Sequence, residues 1–323
     1  MRRFWLGVWV VWLVCAYALG DAGLDRVASL VRVGDDRGAL EAIGQLPVDE
    51  QDEDALRYLR GRLALSTGQP CEAMKALART PATLPEALRE DATRRWARAA
   101  SRCGHCEEAR PVLLGASSSE VAVTRRDRAI AADCAVEMGE LETAAEELSR
   151  LTRRRSSGGN RVALLAVLSD VYLELGREAD ARGAALEGWK SAVEPGQQRA
   201  ARVLEARAQP SAEDRIARAE ALMSARRFER AVAELEALDL GDEASLQRAW
   251  HHAYGMALFR TRNRYLDAAR VLHESALLGG RHEIEDAFHS ARALSRADKD
   301  PRAIRAYRRF ALRYPKSKRA PEA

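Results

Sequence analysis

The chain lacks the short motifs that the commonest catalytic architectures require. Its 323 residues contain no phosphate-binding glycine loop, no H-E-x-x-H and no G-x-S-x-G, which removes nucleotide-cradling, zinc-protease and nucleophile-elbow chemistry. Cysteine is scarce, at 5 residues, and the only long uncharged apolar run lies in the first twenty positions. Disorder is excluded as well: 47% apolar against 31% charged residues is the balance of a folded chain, and the wealth of Ala, Leu, Arg and Glu favours helix.

What is present is a repeat. A small residue opening a second helical segment, with an apolar residue four positions later, occurs at Ala39, Ala73, Ala109, Ala144, Ala181, Ala231, Ala268 and Ala303. Successive copies lie 34 to 37 residues apart except for one interval of 50, between Ala181 and Ala231. In several copies a turn glycine precedes the small residue, as in Gly68 before Ala73, Gly104 before Ala109 and Gly139 before Ala144. A period near 35 with two helical segments per period marks a helical solenoid, in which each pair buries its apolar face on its neighbours. The long interval holds Glu194-Pro195-Gly196, a helical stretch from Gln197 to Ala208, and Pro210-Ser211. Proline and glycine punctuate both ends, so 191–212 reads as a joint with an extra helix, and Ser211 as the cap of the helix that follows. Ser156 to Asn160 reads as a loop, because the period survives it.

The N-terminus reads as an export signal. Arg2 and Arg3 precede eleven uncharged residues from Phe4 to Val14, and Ala18-Leu19-Gly20 supplies small residues for cleavage. The alternative is an uncleaved anchor, although Phe4 to Leu19 falls short of the ~20 residues that span a bilayer. Lipidation at Cys15 is disfavoured by bulky Val14 before it. Export leaves Cys71, Cys103, Cys106 and Cys134 in a compartment that permits disulfides. They are read as structural disulfides or free thiols, with the pairing open. The alternative, that Cys103-Gly104-His105-Cys106 is a redox or metal motif, lacks both a strand-to-helix context and a second ligand pair.

Net charge is +4, but the stretch from Pro301 onward carries +7. That basic end could meet anionic headgroups or wall polymers, and a solvated helix face is the favoured reading. Its helix carries an apolar stripe of Ala303, Ile304, Tyr307, Phe310, Ala311 and Tyr314, expected to lie uncovered because no helical segment follows Pro315. Five of the six histidines lie between His251 and His289. They are read as polar helix residues, since zinc needs three or four converging ligands.

The pairs resemble tetratricopeptide repeats: Gly61, Gly68, Ala73, Leu77 and Pro85 match one copy, Tyr172 and Ala181 another, and Ala291, Ala303, Tyr307 and Pro315 the last. The resemblance implies an all-α, right-handed helical solenoid of about eight tetratricopeptide-like helix pairs. If that register holds, first helices project Tyr58, Arg62, Arg94, Arg98, Arg102, Arg126 and His252 into a concave partner-binding groove. Arginines there could clamp a peptide carboxylate; pairing with neighbouring acids is the alternative favoured.

The stretch from Arg215 onward is more specifically similar to the superhelical N-terminal region of soluble lytic murein transglycosylases. The carrying residues are Ala219 to Leu222, Arg227 to Ala231, Gly255 to Arg260, His289 to Leu294 and Phe310 to Ser317. That family's catalytic Glu-Ser-aromatic and Ala-Tyr-Asn motifs have no match: Glu274-Ser275 is followed by Ala276, and the Ala-Tyr pairs continue as Gly255 and Arg308. The expectation is therefore a signal peptide over 1–20, helical-repeat blocks over 21–190 and 213–323 flanking the joint, and a non-catalytic envelope scaffold without cofactor or metal. Its expected partners are envelope proteins or peptides and peptidoglycan, with no nucleic acid, and with membrane contact only through an uncleaved N-terminal segment. The alternative is the N-terminal part of a peptidoglycan-cleaving transglycosylase without its catalytic domain.

Overall fold

The computed structural model describes residues 22–51, 53–78, 83–115, 123–153 and 160–323. The segment read as a signal peptide, with Cys15, lies outside them, as does the loop at 156–159. The described residues contain helices and no strand. The chain divides into two compact units, one through Arg154 and one from Arg155.

The first unit is four helix pairs: α1 (Ala22–Val33) with α2 (Asp36–Gly44), then, after the short α3 (Val48–Gln51), α4 (Asp54–Ser66) with α5 (Pro70–Leu77), α6 (Glu86–Arg102) with α7 (Cys106–Leu113), and α8 (Arg125–Glu137) with α9 (Leu141–Arg153). The second unit holds four more: α10 (Asn160–Glu174) with α11 (Glu178–Ser191), then the inserted α12 (Gln198–Ala208), then α13 (Ala212–Ser224) with α14 (Phe228–Glu236), α15 (Ala244–Thr261) with α16 (Tyr265–Leu278), and α17 (Glu283–Arg296) with α18 (Asp300–Arg313). All eight signature alanines sit in second helices, and none is more than 3% exposed. A small residue is needed there because the paired helix passes close. At Gly61 and Gly255, on first helices, an added Cβ would come within 2.4 Å of Leu77 and 2.7 Å of Leu272.

Each pair turns through a residue in the left-handed region. Gly34, Gly68, Gly104, Gly139 and Gly176 fill that place in the first five pairs, and Arg226, Arg262 and Asp298 in the last three. In seven of these turns the amide of the next residue returns to a carbonyl five positions earlier, as in His105 to Ala100 at 3.0 Å and Arg227 to Leu222 at 2.8 Å. That bond satisfies a helix-end carbonyl.

The inserted helix is packed rather than hinged. Ala201, Leu204 and Ala208 of α12 are buried with Val162, Ala185 and Trp189 of the preceding pair. Ser211 then caps α13 through a reciprocal box with Asp214. Arg218 of α13, 4% exposed, lies 4.4 Å over the Trp189 ring and donates to the Trp189 and Ala192 carbonyls at the end of α11. The compact units thus divide earlier than the 191–212 joint that the 50-residue interval suggests.

Two disulfides join neighbouring pairs in the first unit, Cys71 to Cys103 and Cys106 to Cys134. The two cysteines of the C-x-x-C stretch therefore bond outward to different helices, not to each other.

The apolar stripe on α18 requires a correction, because it is largely covered. Ala303 and Phe310 are buried, Tyr307, Ala311 and Tyr314 half-buried, and only Ile304 is exposed. The cover is α17, whose Phe288 ring lies 5.5 Å from Phe310 and 5.9 Å from Tyr307. Beyond α18 the chain doubles back, with Arg319 5.1 Å over Phe288 and 3.3 Å from Glu285.

Candidate functional site

A hollow in each unit is lined mainly by first helices. In the first unit the hollow measures about 370 Å³ and is lined by Asp36, Arg62, Leu65, Ser66, Arg95, Arg98, Arg102 and Arg126. Four of the seven predicted groove residues, Arg62, Arg98, Arg102 and Arg126, meet there. The other first-unit residues stand behind it as support. Tyr58 is buried and donates its hydroxyl to Asp91 at 2.6 Å; burial and that carboxylate push its pKa up to about 12. Arg95 also binds Asp91. Arg94 and Arg98 share Asp127, at 3.7 and 2.6 Å. Burial raises the Asp127 pKa, but hydrogen bonds from Arg98 and Thr124, with the Arg94 charge, outweigh it and hold the carboxyl below its ordinary value. Arg62, Arg102 and Arg126 make no hydrogen bond or ion pair among the described residues. The acids expected to pair with these arginines thus neutralise Arg94, Arg95 and Arg98 and leave three guanidinium groups free.

The second unit carries a groove of about 750 Å³ across α13, α15 and α17, and His252 lines it. Its floor is apolar: Phe259 and His289 are buried, and Met223, Met256, Phe228 and Tyr265 are half-buried around them. Phe259 meets the edge of His289 at 5.2 Å and of Tyr265 at 5.7 Å. Burial lowers the His289 pKa, and Arg292, Arg319 and Arg260 add to the effect against Glu285, so the ring is neutral at neutral pH. The rim holds Arg226, Arg260, Arg262, Arg292 and Arg296, with Glu220 as the one carboxylate. Arg296 lies 5.8 Å over Phe259 and contacts the Tyr265 hydroxyl at 3.4 Å; the other four make no ion pair among the described residues. Sequence reasoning reached only His252 here. The recurrence of lining residues three or four apart, at His252, Met256 and Arg260 and again at His289, Arg292 and Arg296, repeats the spacing of Arg94, Arg98 and Arg102 and points to those positions, but not to Arg226, Phe228, Arg262 and Tyr265, which come from turns and second helices.

His252 is held by Asp286, whose fully buried carboxylate faces the imidazole Nδ1 at 2.7 Å and accepts from the Ser275 hydroxyl at 2.7 Å. A nucleophile triad needs serine against imidazole. Here serine and histidine both face the carboxylate, and Ser275 is buried, so the trio orients His252. Glu274, beside it, is half-exposed and pairs with His251 and Arg270. Among the described residues no three His, Cys, Asp or Glu side chains are grouped to hold a metal ion, and no helix is long and apolar enough to cross a membrane.

No protein-family model matches the chain, and no curated protein matches it. Among solved structures it is similar to the TPR domain of P58(IPK), at 15% identity over 93% of this chain and 94% of that one, with a TM-score of 0.30. It is also similar to a signal transduction ATPase with a tetratricopeptide repeat sensor from Pyrococcus horikoshii, at 14% identity over 92% of this chain and 48% of that one, with a TM-score of 0.36. A third likeness is to Naa15/Naa10 bound to HypK, at 13% identity over 92% and 58%, with a TM-score of 0.29.

Proposed function

We propose that the chain is a non-catalytic interaction scaffold whose second-unit groove holds an acidic segment of a partner protein that also presents apolar side chains. The carrying observation is the groove's composition: a floor of Phe259, Met223 and Met256 beneath five arginines that make no ion pair among the described residues. The floor rewards burial of an apolar side chain, and methionine adapts to its shape. The rim rewards carboxylates, which planar guanidinium groups bind through paired hydrogen bonds.

The site of action in this reading is the bacterial cell envelope. Support comes from the leader-like residues 1–20 and from the two disulfides, which use all four remaining cysteines and persist in oxidising compartments. The similarity of residues 215–317 to transglycosylase superhelices makes peptidoglycan fragments the second ligand to try.

The test is fluorescence anisotropy with labelled peptides, acidic and aromatic against acidic alone, and with muropeptides, on the full chain and on Arg260→Glu with Arg292→Glu. Saturable binding of the acidic aromatic peptide, weakened about tenfold or more by the double charge reversal, is expected, since charge-assisted hydrogen bonds contribute about 1.5–3 kcal/mol each. Equal affinity in wild type and variant would sink the groove as the binding site. Binding of muropeptides alone would replace the protein partner with the wall polymer.

A further inference from the structure

The first-unit hollow differs in chemistry from the second-unit groove. It has half the volume, about 370 Å³, and Leu65 is its one apolar lining residue. No aromatic ring or methionine offers a floor for a peptide side chain. Its lining is instead five arginines from α4, α6 and α8, with Asp36 and Ser66. The Ser66 hydroxyl is spent on the Leu63 carbonyl at 2.9 Å. Asp91 and Asp127 hold Arg95 and Arg98 in place from behind, and Thr124 and Arg94 in turn fix Asp127. Arg62, Arg102 and Arg126 have no such partner among the described residues. Like charges brought together on a concave surface repel one another, and Asp36, the carboxylate in the lining, makes no ion pair with them among the described residues. Packing does not require the arrangement, since Arg102 and Arg126 are exposed.

We propose that this hollow is a binding site for a compact anion carrying two or three oxyanion groups, phosphate or carboxylate, on one small frame. Arg62, Arg102 and Arg126 supply the charge, each guanidinium offering a planar pair of donors to one oxyanion group. Arg95 and Arg98, fixed by their aspartates, form the preorganised wall. A ligand of this kind needs no apolar contact, which the hollow does not offer. The site is independent of the second-unit groove, and either can fail without the other.

The test is calorimetric titration of the full disulfide-bonded chain with tripolyphosphate, citrate and orthophosphate, at constant ionic strength of about 0.15 M to suppress diffuse attraction. One-to-one saturation by tripolyphosphate or citrate, at least tenfold tighter than orthophosphate, is expected, and which of the two binds identifies the oxyanion. Arg62→Ala and Arg102→Ala should each weaken it about tenfold, and Arg102→Lys should recover part of the loss, because lysine keeps the charge without the fork. Arg308→Ala, on the exposed face of α18, removes the same charge elsewhere and should leave binding unchanged. Circular dichroism separates lost binding from lost folding. Unsaturable binding, or equal loss in Arg308→Ala and Arg102→Ala, would overturn the proposal. So would failure of all three anions to bind the folded wild-type chain.

Discussion

Asp127 shows how one residue can serve cap, pair and groove together. Its backbone amide donates to the Thr124 hydroxyl at 3.1 Å, capping the start of α8, while its carboxylate accepts from the Thr124 hydroxyl and from Arg98. With 1% exposure it has no water to fall back on. Replacing it with alanine removes charged hydrogen bonds worth about 1.5–3 kcal/mol, and urea midpoints should fall accordingly. The pH dependence has a fixed sign. The folded pKa lies below the ordinary value, so this stabilisation is complete above the unfolded pKa of about 3.9 and is lost as pH falls through the folded one. Wild type should therefore lose stability on acidification below about pH 4 more steeply than Asp127→Asn. An equally steep decline in both would mean that other carboxylates govern acid unfolding. The tetratricopeptide register placed Arg98 and Arg94 in the groove, where Arg98 lines the hollow and Arg94 does not. Their common partner was not legible, because it lies one helix pair further on and only packing brings it to them.

At the scale of the element, the recurring device is a close helix pair with a left-handed turn. Gly61 and Gly255 each face a leucine of the partner helix too closely to leave room for a Cβ. Alanine would improve intrinsic helix propensity by about 1 kcal/mol, yet overpacking costs about 1–3 kcal/mol. Gly255→Ala should thus come out neutral to destabilising, and combining it with Leu272→Val should recover stability by making room. A Gly255→Ala variant more stable than wild type would show that the pair can open without cost. The turns show where the pattern was readable and where it was not. In the first five pairs glycine announces the left-handed residue, since a Cβ there is strained. In the last three Arg226, Arg262 and Asp298 adopt the same conformation, and no residue type signals it. The alanine period still placed those pairs, because close packing at the second helix is a stricter demand than the turn.

The molecule as a whole distributes its covalent reinforcement unevenly. Both disulfides lie in the first unit, and residues 155–323 contain no cysteine. The sequence placed four cysteines near helix ends, but spacing alone does not choose among pairings. The choice comes from stacking, which sets the start of each second helix beside the next pair's first helix, with Cα separations of 5.5 and 5.1 Å. Each bridge closes a loop with sequence separation 32 or 28, a constraint worth about 3–4 kcal/mol in the chain-entropy account. A solenoid is held by neighbour contacts, so a bridge between adjacent pairs acts locally. Reduction should therefore lower hydrogen-exchange protection across 54–137 while leaving that of 198–313 unchanged. Alkylating the reduced chain, to prevent reclosure, should preserve the difference. Equal loss of protection in both stretches would mean that the two units unfold as one cooperative body, and the bridges would then stabilise the second unit through the first.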